Sequence, residues 1–129
     1  MQDQPSPTDL LAAVVQFLRG ELLPTLSAHP AFQLRVSCNA LDLIGRQLAL
    51  EPAANADEVV RLTALLGCSG GLGHLADLNA ELSQQIVDGK LTLQTAGLAE
   101  HLWATTLAKL AVDQPQYGAY RHEVGTLQR

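Results

Sequence analysis

A chain of 129 residues is long enough to build one domain with a sizeable core and too short for a second independent one. Its hydrophobic content of 47% excludes disorder over most of its length. The formal net charge is −5, with eight Lys plus Arg and no basic run, which argues against nucleic acid or an anionic membrane as a partner.

The apolar residues are mainly Leu and Ala, and aromatics make up only 4%, a composition that favours helices over a β-sandwich. Two cysteines, Cys38 and Cys68, form no disulfide framework, so the expected location is the reducing cytoplasm. The opening Met-Gln-Asp-Gln-Pro-Ser-Pro has neither the basic nor the apolar region of a secretion signal. No apolar run approaches the roughly 20 residues needed to span a bilayer.

In chain order, the first predicted helix covers Pro7 to Leu23. Ser6 suits its cap, Pro7 its first position and Asp9 its positive end, and Pro24 stops it. Leu10, Leu11, Val14, Leu18 and Leu22 form its apolar face. The second predicted helix, Pro30 to Leu50, has two apolar faces. One is Leu34, Cys38, Leu41 and Leu48; the other is Phe32, Val36, Leu43 and Leu50. A polar stripe of Arg35, Asn39, Asp42 and Arg46 separates them. A helix apolar on two sides is expected to pack on two sides, which places this one at the centre of the bundle.

The third predicted helix, Ala56 to Leu66, opens with capping-box spacing at Asn55 and Glu58 and stops at Gly67. The fourth, Leu72 to Asp88, carries the stripe Leu75, Leu78, Leu82 and Ile86, with Asn79 in the middle and Gly89 as its stop. The fifth, Ala96 to Gln114, presents Trp103, Leu107, Leu110 and Ala111 on one face and is ended by Pro115. The expected architecture is all-α: a compact single-domain bundle of about five helices over residues 1–129, with 1–6 and 122–129 loose.

Polar residues in this pattern are the candidates for chemistry. Arg35, Asn39 and Arg46 could recognise a carboxylate or phosphate along one helical line, or the stripe could be a solvated slit with an ordinary Asp42–Arg46 pair. Asn79, set in an apolar stripe, must find partners or cost about 1–3 kcal/mol of desolvation, and the second predicted helix near Arg35 or Asn39 is the expected place. Lys109 and Asp113 are one turn apart and read as an ion pair; a catalytic lysine would need burial or a cationic neighbour. The glycine-rich run from Gly67 to Gly73 lacks the preceding strand and the Lys-Ser/Thr of a phosphate-binding loop. Histidines at 29, 74, 101 and 122 fall into no metal-ligand spacing, although Cys68, His74 and Asp77 are close in sequence. No catalytic residue, metal or cofactor is assigned. Tyr117, Tyr120 and Arg121, beyond Pro115, could cover the end of the bundle or form a partner surface.

The segments Leu10 to Leu23, Phe32 to Leu41, Asp77 to Leu82 and Thr106 to Tyr117 resemble an uncharacterised all-helical bacterial family. That family has a Leu-Leu-Ala-Ala-Val-like opening and a Thr-x-x-Lys-Leu-x-x-x-x-Pro-x-Tyr-like ending. Its members are typically encoded beside an aminoglycoside-phosphotransferase-like kinase and an acyl-CoA dehydrogenase. The resemblance implies a link to acyl-CoA or hydroxy-acid catabolism, with the kinase-like protein as partner, and it transfers no catalytic residue. Two readings of function follow. One is a non-catalytic accessory protein that binds a protein partner or self-associates. The other is a small ligand-binding or catalytic bundle with an anion-recognising pocket between the second, fourth and fifth predicted helices, using Arg35, Asn39, Asn79 and Lys109.

Overall fold

The structure is a computed structural model that describes residues 4–67 and 74–127. Among these residues the regular elements are all helical: α1 (Pro7–Phe17), α2 (Ala28–Leu66), α3 (Leu75–Val87), α4 (Leu98–Asp113) and α5 (Gly118–Leu127). The all-α expectation holds. The chain falls into two compact units, Met1–Glu51 and Pro52–Arg129, where length alone suggested one; α2 contributes residues 28–51 to the first and 52–66 to the second.

In the first unit, α1 starts as its residues dictate. The Asp9 amide donates to Ser6 Oγ at 3.2 Å, and the Ser6 amide donates to Asp9 Oδ2 at 3.1 Å, so two otherwise orphaned donors are satisfied reciprocally. The hydrogen bonds from Ser6 hold the Asp9 carboxyl below the ordinary carboxylate range. The helix does not stop at Pro24. It widens into a π turn at Leu18–Leu22 and tightens into a 3-10 turn at Leu23–Thr25. Pro24 sits at the start of that last turn, where an amide hydrogen has no partner to lose.

Val15, Ala31 and Cys38 form the buried centre of this unit. Gly45 lets α1 come close to α2, since a Cβ there would stand 3.3 Å from Leu11 Cδ2. The residues of the two apolar faces read on the second predicted helix differ in burial. On the first face Cys38 is buried, Leu34 and Leu41 are half-buried and Leu48 is exposed; on the other, Phe32 and Val36 are 60% and 51% exposed, Leu50 is exposed and Leu43 is half-buried. Among the described residues of this unit, the other helical segments are α1 and its short continuation, and α1 meets α2 at Gly45.

The second and third predicted helices are one element. Pro52 lies inside α2 and does not break it. Proline removes one i to i−4 hydrogen bond, yet the good helix formers on both sides carry the helix through. The expected break at Glu51 to Asn55 is therefore corrected, and Gly67, at φ +65°, ends the element as expected.

In the second unit, Leu62, Leu78, Leu82, Leu91 and Leu98 make the core, with Val59, Leu65, Leu66 and Leu75 packed against it. The stripe read on the fourth predicted helix is thus the buried face of α3, except that Ile86 is exposed. Gly89, at φ +70°, takes the chain out of α3, and Leu91 tucks the following turn into the core. A segment with no predicted helix forms α5. The Tyr117 amide donates to the Gln114 carbonyl at 2.9 Å to turn the chain, and the Arg121 amide donates to the Tyr117 carbonyl at 3.0 Å to begin the helix. The run from Gly67 to Gly73, with Cys68, lies outside the described residues beyond Gly67 itself. No helix among the described residues is long and apolar enough to cross a membrane.

Candidate functional site

Two places in the second unit bring chemistry-bearing side chains together. The first is a cleft between α4 and α5. The Trp103, Leu107 and Leu110 face of α4, together with Thr106, forms one wall. Tyr117, Ala119, Tyr120, His122 and Glu123 form the other, around a volume of about 570 Å³. A long hydrogen bond of 3.3 Å from Trp103 Nε1 to Glu123 Oε1 ties the walls together. Trp103 and Tyr117 remain 54% and 53% exposed. Of the three residues nominated as a partner surface, Tyr117 and Tyr120 line this cleft, and Arg121 is exposed on α5 outside its lining.

The second place is a polar cluster shared by α2, α3 and α4. Asn79 is half-buried, and its Nδ2 donates to Glu58 Oε1 at 2.8 Å and to the Leu75 carbonyl at 3.1 Å. The amide does reach α2, but at Glu58 rather than at Arg35 or Asn39. Glu58, expected to serve a helix start, is 9% exposed and spends its carboxylate on Asn79 instead. His101 on α4 is 1% exposed. Burial lowers its pKa most, the Arg61 charge lowers it further, and the Glu58 charge acts in the opposite direction. The imidazole is therefore neutral at pH 7. His101 Nδ1, Arg61 Nε and Thr105 Oγ1 are buried with no hydrogen-bond partner among the described residues. Arg61 and His101 also line a hollow of about 260 Å³ with Ala64, Leu65, Ala96, Gly97 and Glu100. Gly97, at φ +85°, is the N-cap of α4 and gives that helix start no side-chain cap.

The nominated polar residues are not gathered into one site. Arg35, Asn39 and Arg46 belong to the first unit, and Asn79 and Lys109 to the second. Arg19 gathers part of the stripe, donating to Asn39 Oδ1 at 3.0 Å and to Asp42 Oδ2 at 2.5 Å. Asp42 and Arg46 line a hollow of about 390 Å³ between α1 and α2, while Arg35 is exposed outside it. Lys109 is exposed on α4. Among the described residues no three His, Cys, Asp or Glu side chains come together as metal ligands.

Sequence reasoning missed Glu58, Arg61, His101 and Thr105. A signal was present: Leu98, His101 and Thr105 follow at three- and four-residue spacing and share a face of α4, so a buried Leu98 carries the histidine inward with it. Comparison with curated proteins and with solved structures returns no match. The family profile described as Domain of unknown function (DUF6285) matches residues 24–117, which include Trp103, Asn79, Glu58, Arg61 and His101 and end at Tyr117. The chain belongs to that family of unknown function.

Proposed function

We propose that this chain is a non-catalytic accessory protein that binds a protein partner through the α4–α5 cleft. The observation that carries the reading is an apolar cleft whose aromatic walls, Trp103 and Tyr117, are each more than half exposed. Trp and Tyr are the residue types that most often anchor protein interfaces, because one side chain combines a large apolar area with a polar tip. Glu123 and His122 supply a polar edge of the kind that surrounds such anchors. The partner is the phosphotransferase-like kinase that the sequence resemblance places beside bacterial families of this type, in the service of acyl-CoA metabolism. A cytoplasmic setting fits the free thiol of Cys38.

The test uses Trp103, the only tryptophan in the chain. On titration with the purified kinase, its emission is expected to shift to shorter wavelength and saturate as the cleft is covered. Leu107→Glu is expected to weaken that association at least about tenfold, as loss of an interface anchor costs above about 1 kcal/mol. No complex and an unchanged emission would overturn the reading. Light scattering that gives a dimer, with the same emission change on self-association, would transfer the cleft to a second copy of the chain.

A further inference from the structure

We infer that the α4–α5 cleft recognises an arginine of the partner's docking segment, held against Trp103 and paired with Glu123. The inference rests on the reading of this cleft as a partner surface and names what that surface selects. Two observations carry it. The first is the make-up of the lining: Trp103, Tyr117 and Tyr120 share it with one carboxylate, Glu123, and with no Lys or Arg. The second is the hydrogen bond of 3.3 Å from Trp103 Nε1 to Glu123 Oε1, which sets that carboxylate at the edge of the indole ring.

The chemistry of the occupant follows from these groups. The face of an aromatic ring attracts a cation, Trp most strongly, and Arg is the cation most often found there. A guanidinium can lie flat on a ring and still direct two N–H donors at a carboxylate; the compact, more strongly hydrated ammonium of lysine lacks that fork. A partner carboxylate or phosphate would meet Glu123 as a like charge. A wholly apolar side chain would cover Glu123, already half-buried, and leave its charge uncompensated. Leu107 and Leu110 in the same lining offer apolar contact to the stem of an arginine. About 570 Å³ falls within the roughly 300–1,000 Å³ of pockets for drug-sized ligands, so the cleft takes one long side chain with part of the segment that carries it. The formal net charge of −5 favours the approach of a basic segment.

The test titrates three acetylated, amidated peptides into the full chain and follows the emission of Trp103. The peptides are Leu-Ala-Xaa-Ala-Leu with Arg, Leu or Glu at the centre. The expected result is a saturable change with the arginine peptide, binding at least about tenfold weaker for the leucine peptide, and no saturation with the glutamate peptide. Glu123→Gln keeps an acceptor for Trp103 Nε1 and removes the charge, and it is expected to abolish the preference for arginine over leucine. A melting curve confirms that the variant is folded; if it is not, the three-peptide comparison on the unaltered chain still decides. Equal affinity for the arginine and leucine peptides, tighter binding of the glutamate peptide, or no saturation with any of the three would overturn the arginine site. The kinase separates this outcome from the reading beneath it. Arginine preference without kinase binding supports the site and removes only the kinase as partner. Kinase binding that Glu123→Gln leaves unchanged keeps the cleft as a docking surface and overturns the arginine.

Discussion

His101 shows how one buried side chain makes a chain pH-sensitive. Arg61 and Glu58 act on it from α2, Glu100 stands beside it on α4, and the uncharged Asn79 of α3 holds Glu58. Its pKa is lowered in the folded state, so between the folded value and the ordinary 6.5 the unfolded chain binds a proton that the folded chain does not. Stability is expected to be undiminished by this group above about pH 7 and to fall as the pH drops below 6.5 toward the folded value. Denaturant melts across that range check it: His101→Gln is expected to flatten the slope, and an unchanged slope would show that His101 is not its source. The sequence put this histidine among four scattered ones because spacing identifies metal pairs, whereas burial beside a guanidinium depends on how α2 and α4 meet.

At the scale of elements, helix starts and stops were readable because they depend on neighbours in the chain. The Ser6–Asp9 box and the stops at Gly67 and Gly89 are local effects of this kind. The merger of two predicted helices into α2 was not readable, because a proline argues for a break wherever tertiary contacts are unknown. Pro52→Ala is expected to stabilise the chain by up to about 3 kcal/mol, the helix-interior cost of proline; a lower melting midpoint would show that native contacts or unfolded-state stiffness hold Pro52 in place. The start of α5 was hidden for the opposite reason. Gly118, Gly125 and Thr126 are weak helix formers, and only its place against α4 marks the segment as helical. In the core of the second unit, Leu62 is fully buried among Leu78, Leu82, Leu91 and Leu98. Leu62→Ala is expected to cost about 2–5 kcal/mol in a denaturant titration, and a loss below about 1 kcal/mol would mean that the cluster is loosely packed.

For the molecule as a whole, composition was enough for the helical class, because Leu and Ala in this proportion have few other ways to bury themselves. It could not divide the chain into the units Met1–Glu51 and Pro52–Arg129, since a division depends on which apolar faces find partners. On the second apolar face of the second predicted helix Phe32, Val36 and Leu50 are exposed and Leu43 is half-buried, a difference that the apolar pattern alone does not show. The candidate site was readable in part. Asn79 was singled out for needing a partner and has one in Glu58, and Tyr117 and Tyr120 line the cleft that the proposed function uses. Arg61 and His101 required the meeting of two helices that no single stretch of sequence describes. The most direct measurement is hydrogen–deuterium exchange on the full chain with and without the phosphotransferase-like kinase. Slowed exchange confined to α4 and α5 around Trp103 and Tyr117 is the expected outcome; unchanged exchange there, or protection confined to the exposed Phe32 and Val36 face, would contradict the account.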